Sequence, residues 1–594
     1  MRCFLRLLKP YRLESVAVLC ALAINLAGVL LVPTFLSVMI NAGISTRDLD
    51  TIMEQGALML ASAIISGAAA FACNYLCADL SSKIGRDIRN AVYDRSLEFS
   101  GGDFEEFGCG SMITRTLGDV NVIQMAITMT IQMMLPVPFA AVIGIALAMR
   151  IDAYLGTLLA CFIVVVGILA VLTASRAARI FQKLQGFVDR MNVRLRESIT
   201  GVRVIRAFGK ERAEQRSLDE SFMTFAMSAI RVNWLFATLD CSTFLIMNLA
   251  EVAIIWVGAN RVGAHAMQIA SISACVEYAM LILFFIMMAQ ITALTLPRAL
   301  VCFNRCRSVI EHDLSIRDKT GAKTCAEHGD ERAIDTVARF VDVSFRFADA
   351  DEDTLHELNF SCRRTTTTAI IGQTGSGKST IAKLLLRLHE ITGGSLQVNG
   401  CDVREMSQHE LREHVSYVPQ KAWLFSGTIA DNLRLGRPDA TEADMWHALE
   451  VAQAGFVHEL DGGLDAPVSQ GGSNLSGGQR QRISIARALI KPADLYIFDD
   501  SFSALDFKTD SALRSALVPE MRTAAVLIIA QRINTILHAD QIVVLDEGRI
   551  AGIGAHDDLM RTCDTYREIA NSQLRASEID GLGTGVRNGV ERHD

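Results

Sequence analysis

The sequence predicts a membrane all-α domain of six transmembrane helices fused to an α/β domain that carries a phosphate-binding loop. Three observations carry that reading. The first 300 residues hold long stretches without a charge. Strand-like and helix-like runs alternate after residue 336. A glycine-rich loop sits between one such strand and one such helix. At 594 residues the chain is too long for a single core. Hydrophobic residues make up 51% and mean hydropathy is +0.29, so a simple soluble enzyme is not expected.

Residues 15–46, 55–78, 120–149, 153–175 and 278–297 contain no Asp, Glu, Lys or Arg. Each is long enough, at about 1.5 Å per residue, to cross a hydrocarbon layer of ~30 Å. Buried helices of a large soluble core are a weak rival, because five such stretches fall within the first 300 residues. A further span is expected at 232–260, apolar apart from Asp240 and Glu251. The expected helices are 15–40, 55–80, 120–149, 153–176, 232–260 and 270–297, the last including Glu277.

Basic residues set the orientation. Arg2, Arg6, Lys9 and Arg12 precede the first span and place the N-terminus in the cytoplasm. The next loop sets Arg47 against Asp48, Asp50 and Glu54, as an outside loop does. The 176–231 segment is dense in Arg and Lys and belongs inside, so an even number of spans leaves everything after about 300 cytoplasmic. The chain is thus expected to be multi-pass in the cell (inner or plasma) membrane. Its first apolar stretch is too long for a cleaved signal peptide and is expected to be retained.

The net charge of −8 and pI near 5.9 give no support for nucleic-acid binding. Fourteen cysteines are scattered without a paired CxxC framework. Cys73/Cys77 and Cys302/Cys306 stand four residues apart, which suits a metal or redox pair, but small apolar packing residues are the favoured reading.

The stretches 79–119 and 176–231 are too long for turns and read as membrane helices extending into the cytoplasm. Residues 1–310 form the expected membrane domain, 311–335 a polar linker, 336–574 the α/β domain, and 575–594 a tail expected to be disordered. Within the α/β domain "TVARFVDVSFRF", "TAIIG", "SLQVNG", "LYIFDD", "AVLIIA" and "QIVVLD" read as strands, and "KSTIAKLLLRL" and "GGQRQRISIARALI" as helices.

"GQTGSGKST", Gly372–Thr380, matches G-x-x-x-x-G-K-[ST] between a strand and a helix. Glycines let backbone N–H groups curl around phosphate oxygens, and the helix N-terminus adds partial positive charge. Lys378 suits the β- and γ-phosphates, and the Ser379 hydroxyl suits Mg²⁺. "ADLYIFDDSF", 493–502, brings a buried strand to two carboxylates, of which Asp499 fits the water-mediated Mg²⁺ position. "NLSGGQRQRISIARAL", Asn474–Leu489, opens a helix with Ser476 at a capping position followed by Gly477, Gly478 and Gln479. Such a turn also presents N–H groups to a γ-phosphate. Two half-sites on one chain imply that two nucleotide domains close face to face around shared ATP.

The chain resembles an ATP-binding cassette (ABC) exporter half-transporter, and the resemblance covers nearly its whole length. An aromatic for the adenine ring falls at Phe347, where Tyr is commoner. The resemblance then implies a Walker A loop at Gly372, Thr374, Gly375, Ser376, Gly377, Lys378, Ser379 and Thr380. The Q-loop Gln420 in "YVPQ" joins Ser379 and Asp499 around Mg²⁺. "FSGTIADNL" (425–433), the signature at 475–479, Walker B at 495–499 and a D-loop "SALD" (503–506) follow in order. "FGCGSMITRTLGDV" (107–120) and "ESITGVRVIRAFGKERAEQ" (197–215) are similar to the two intracellular loops that carry coupling helices onto the nucleotide domains.

Three positions depart from the family pattern. Asp500 stands where the family has its catalytic Glu, Gln531 where it has the switch His, and Gln470 at a glutamate before the signature. A shortened carboxylate misplaces the attacking water, which costs ~10²-fold or more. A neutral amide does not reproduce a histidine's charge. With the signature intact, the combination resembles the degenerate subunit of a heterodimeric multidrug exporter. The expected partner is a different half-transporter with an intact Walker B Glu and switch His. A lipid flippase, a siderophore or peptide carrier, and a regulatory ATP-binding subunit are alternative uses of the same engine.

Asp240, Glu251 and Glu277 lie in or near membrane spans, where an ionisable residue is a functional candidate. Glu251 and Glu277 each stand roughly 15 Å of helix below an outer loop at 261–268. They form either an acidic patch for a cationic amphiphile, or a solvated vestibule, or a pairing with Arg261. The 22 methionines suit an adaptable apolar cavity, and equally suit ordinary membrane packing.

Overall fold

The computed structural model describes residues 9–44, 48–319 and 335–573. Most of the 311–335 linker and the 575–594 tail therefore lie outside the described residues. The chain divides into two compact units, one built from Met1–Glu98 and Phe107–Asp313, the other from Phe99–Glu106 and Leu314–Asp594.

The first unit is all helical. Its long helices are α1 (Arg12–Val38) and α2 (Leu49–Leu97). The short α3 (Gly101–Phe107), nearly all of which belongs to the second unit, and α4 (Cys109–Ile113) lead into α5 (Val120–Met129) and α6 (Pro136–Ile151). Then come α7 (Ala153–Thr200), the short α8 (Val202–Ala207), α9 (Glu211–Gly263) and α10 (Ile269–Ile310). Among the described residues, six stretches are long and apolar enough to cross a membrane: Lys9–Ile44, Leu49–Leu97, Cys109–Ile151, Ala153–Leu172, Glu211–Gly263 and Ile269–Gln290. A helix satisfies every backbone group within itself, which is what a bilayer demands. Large apolar side chains such as Ile64, Phe71 and Val142 point outward, the arrangement expected where hydrocarbon is the solvent.

Small residues let these helices approach closely. A Cβ on Gly28 of α1 would stand 2.8 Å from the Ser66 Cβ of α2, and the Ser62 hydroxyl donates to the Gly28 carbonyl at 2.9 Å. Asp152 caps α7 by accepting from the Tyr154 and Leu155 N–H groups, and its other oxygen takes Arg261 at 2.6 Å. Arg261 is thus committed to Asp152, with its guanidinium over the Tyr154 ring. This corrects the expected alternative that Arg261 neutralises Glu251 or Glu277: the nearer carboxylate is one that the sequence hides in a helix cap. Cys73, Cys77, Cys302 and Cys306 are all buried.

The segment of the 79–119 extension that belongs to the second unit is Phe99–Glu106, just before the 107–120 stretch that carries the family resemblance. Residues 107–120 themselves form α4 and a π-helical turn, Thr114–Asp119, in the first unit.

The second unit holds two principal sheets. β1 (Thr336–Phe345), β2 (Leu355–Arg363), β4 (Gly393–Val398) and β5 (Cys401–Asp402) form an antiparallel sheet in the order β2-β1-β4-β5. The larger sheet runs β12-β11-β3-β10-β9-β6. It comprises β3 (Thr367–Gly372), β6 (Val415–Val418), β9 (Leu495–Asp499), β10 (Ala525–Ile529), β11 (Gln541–Asp546) and β12 (Arg549–Gly554). All its neighbours are parallel except the β11–β12 pair. β7 (Gly427–Thr428) and β8 (Pro467–Val468) make a small ribbon. The helices are α11 (Lys378–Leu385), α12 (Gln408–His414), α13 (Ile429–Arg434), α14 (Glu442–Val451), α15 (Gly477–Leu489), α16 (Phe507–Glu520), α17 (Ile533–Ile536) and α18 (His556–Thr562).

Period-two alternation explains why β9 is apolar throughout. Leu495 and Ile497 enter one core, and Tyr496 and Phe498 the other. A strand covered on both faces delivers its last residue, Asp499, to the sheet edge with little solvent around it.

Candidate functional site

β3 sits where the strand order reverses, with β10 on one side and β11 on the other. The crevice beyond the carboxyl ends of strands at such a switch point is where α/β sheets bind ligands. Gly372 closes β3 opposite Leu545, and a Cβ there would stand 2.2 Å from the Leu545 carbonyl oxygen, so a side chain does not fit. The loop turns through Gly375 and Gly377 at φ of +89° and +91°. Gly377 caps α11, and a Cβ on it would meet the Leu355 side chain at 2.5 Å. Thr374 and Gly375 are exposed, while Ser376 and Thr380 are buried beneath them. The result is a concave backbone turn running into a helix N-terminus, a cradle suited to phosphate.

The Lys378 Nζ lies under this loop, donating to the carbonyls of Gly372 at 2.8 Å and Gln373 at 2.5 Å. Burial pushes its pKa down, opposed by the charges of Asp500 and Asp499. The buried Asp499 carboxylate accepts from the Ser379 hydroxyl at 2.9 Å and the Tyr417 hydroxyl at 3.3 Å. Burial raises its pKa, the two hydroxyls oppose this, and the Asp500 charge raises it further. Two carboxylates beside one ammonium, with a hydroxyl at hydrogen-bond distance from the deeper acid, form a hard-oxygen donor set that fits Mg²⁺ carried with a polyphosphate.

Asp500 takes φ of +47°, a left-handed conformation that Asp tolerates better than most residues. Its N–H donates to Ile529 at 2.8 Å, and its carbonyl accepts from the Ser503 hydroxyl at 2.8 Å. The Gln420 amide donates to its carboxylate at 3.2 Å. Gln531 lies two residues past Ile529, which pairs with Asp499, so it leaves the sheet at the same end as Asp500. Its side chain is exposed, and its carbonyl accepts from Gln573 at 2.7 Å.

Phe347 is half-buried, edge-on to Phe345 (centroids 4.8 Å apart) and to His389 (5.4 Å). Phe345 pairs with Leu355, the residue against Gly377, which sets Phe347 on the flank of the phosphate loop.

Ser476 and Gln479 form a reciprocal capping box at the start of α15: the Ser476 N–H donates to the Gln479 Oε1 at 2.8 Å, and the Gln479 N–H to the Ser476 hydroxyl at 3.3 Å. A Cβ on Gly477 would meet nothing within 4 Å, and one on Gly478 would meet the Ala504 carbonyl at 3.4 Å. Gly478 therefore lies against the 503–506 turn. Gln470 is exposed and begins the turn ahead of α15.

Two contacts are not evident from the sequence motifs: Tyr417 on Asp499 and Ser503 on Asp500. A phenol in a strand as buried as β6 requires an acceptor, and that signal was available three residues before Gln420. Ser503 gave none, because its role depends on the local turn.

Residues 15–287 match the ABC transporter transmembrane region, and residues 355–503 match the ABC transporter domain. The chain is 36% identical to an uncharacterized ABC transporter ATP-binding protein of Mycobacterium tuberculosis over 97% of this chain and 98% of that protein. It is 28% identical to a Staphylococcus aureus protein carrying the provisional name of multidrug export ATP-binding/permease protein, over 96% and 99% of the two chains. Among solved structures, a bacterial Atm1-family ABC exporter with ATP bound superposes with a TM-score of 0.79 at 22% identity, covering 95% of this chain and 99% of that one. Its likeness extends to the fold. A multi-pass membrane domain joined to one nucleotide-binding domain, with both halves matched in order, makes this chain a member of the ABC transporter family.

Proposed function

We propose that the chain is the weakly hydrolysing subunit of a two-chain ATP-driven exporter. Phe347 would receive the adenine, the 372–380 loop and Lys378 would hold the phosphates, and Ser379, Gln420 and Asp499 would hold Mg²⁺. That ion neutralises phosphate charge when bound. The N-terminus and nucleotide domain face the cytoplasm. The cargo is a small amphiphilic molecule taken from or near the bilayer, a reading supported by the provisional name of the Staphylococcus relative.

The observation that carries the unequal-site reading is the fixed backbone of Asp500. With its N–H bonded to Ile529 and its carbonyl to Ser503, the chain does not advance to make good the missing methylene. The carboxylate stays short of where a glutamate would place it, and Gln531 supplies no imidazole nearby. The signature at Ser476–Gln479 is complete and faces outward, ready for a nucleotide held by another chain.

The test is reconstitution with a half-transporter that has the Walker B Glu and switch His. Asp500→Asn in this chain should change turnover of the pair less than about threefold, since the short acid contributes little. Gly477→Asp, where the structure leaves room for a side chain, should lower turnover about 100-fold by setting a carboxylate against the partner's nucleotide. The reverse pattern, with Asp500→Asn inactivating the pair, would defeat the division of labour.

A further inference from the structure

Within the second unit, α3 is fastened to the nucleotide domain at three points. Ser100 and Asp103 cap its start reciprocally, at 2.9 Å and 3.2 Å, and the buried Asp103 carboxylate also accepts from the Ser315 hydroxyl at 2.5 Å. The Gly101 N–H donates to the Leu388 carbonyl at 3.1 Å. A Cβ on Gly101 would stand 3.1 Å from the His389 Nε2 and 3.2 Å from its Cε1, so α3 rests directly on the imidazole.

The same imidazole touches the aromatic pair at the end of β1. Its centroid lies 5.4 Å from Phe347, edge-on at 81°, and 5.5 Å from Phe345. On the other side of the site, α11 starts at Lys378, and Leu388 lies on the turn just past its end. A base against Phe347 and phosphates against Lys378 would therefore act on adjacent residues, His389 and Leu388, and both of these meet Gly101. Burial and the Lys383 ammonium hold the His389 pKa below its ordinary value, against a smaller opposing effect of Glu105. The ring is neutral at pH 7, so its contact with Phe347 is one between two uncharged aromatic rings.

We propose that His389 is a positioning residue that conveys occupancy of the base site from Phe347 to α3 through Gly101. This rests on the reading that Phe347 faces the base of bound ATP. A transmitted signal requires an element whose arrangement the ligand biases, and spatial intermediacy alone does not establish one. The test must therefore read α3 itself.

The purified full-length chain is examined by hydrogen–deuterium exchange of residues 99–107, with and without Mg·ATP, while binding is followed with the fluorescent analogue MANT-ATP. ATP should slow exchange in this segment by about fivefold in the wild-type chain. His389→Ala should still bind MANT-ATP within about threefold of wild type, yet lose the ATP-dependent slowing. His389→Phe, which keeps a flat uncharged ring, should restore it. Gly101→Ala, which forces the imidazole aside, should behave as His389→Ala does. Full ATP-dependent slowing in His389→Ala, with binding intact, overturns the proposal by itself. Failure of the wild-type chain to bind MANT-ATP overturns it together with the nucleotide reading, and the binding arm tells the two apart.

Discussion

The Gln420 side-chain amide donates to the Asp500 carboxylate at 3.2 Å, joining one of the residues proposed to hold Mg²⁺ to the shortened acid. In an ATPase site the acid after the magnesium aspartate must hold a water in line with the γ-phosphate. Here it is occupied by a neutral donor and sits on a backbone fixed by Ile529 and Ser503. That arrangement supports the proposal that this chain holds a nucleotide rather than cleaving it.

Tyr417 and Ser379 share Asp499, and removing each has a different expected effect. Tyr417→Phe deletes one hydrogen bond to a charged acceptor, worth roughly 1.5–3 kcal/mol at most, and should weaken Mg·MANT-ATP binding by no more than about 10- to 150-fold. Asp499→Asn removes the charge itself and should abolish the Mg²⁺ dependence of binding. Titrations with and without Mg²⁺ check both, and an unchanged Mg²⁺ dependence in Asp499→Asn would contradict the assigned metal position.

Gly377→Ala should be severe for a backbone reason. The position holds φ of +91°, and a Cβ would press on Leu355. A cost of about 1–3 kcal/mol is expected in thermal unfolding, with loss of nucleotide binding. Gly477→Ala, at ordinary φ and in open space, should cost far less.

Away from the nucleotide, Asp494 gathers His414 (2.8 Å), Arg364 (2.9 Å) and Asn399 (3.0 Å) at the entry to β9. The His414 bond, with help from Arg364 and Asn399, holds its carboxyl well below the usual carboxylate range despite burial. A depressed acid stabilises the fold above its unfolded pKa, about 3.9, and this is lost as pH falls through the folded value. Asp494→Asn should therefore lower stability by roughly 2–4 kcal/mol at pH 7. Its deficit relative to wild type should shrink below about pH 4. An equal deficit at every pH would show that the charge is not what matters.

With Arg261 bound to Asp152, Glu251 and Glu277 are left to a different role. If they recognise a cationic amphiphile, Glu251→Gln with Glu277→Gln should reduce transport of cationic compounds by about tenfold and spare neutral ones. Vesicle uptake assays on the reconstituted pair would show this, and equal transport of both classes would count against an acidic patch.

Much of this was legible in the sequence because it rests on local patterns. Charge-free stretches mark helices that cross a bilayer, and the "GQTGSGKST" loop carries its own turn chemistry. Strands 495–499 and 525–529 announce themselves by unbroken apolar runs. What was not legible depends on distant contacts. Arg261 chooses Asp152 over two nearer-looking acids because Asp152 caps the neighbouring helix. The helix at Gly101–Phe107 reads as more of a long cytoplasmic extension until its contacts with Leu388, His389 and Ser315 assign it to the nucleotide domain. The left-handed turn at Asp500, set by Ile529 and Ser503, has no local signal either.

The most direct measurement is the ATPase rate of the purified chain alone, beside Asp500→Glu and the double variant Asp500→Glu with Gln531→His. Slow turnover is predicted for the wild-type chain, rising about 10- to 100-fold in the double variant as the acid regains its reach and the imidazole its charge. Rapid hydrolysis by the wild-type chain, abolished by Asp500→Asn, would contradict the account.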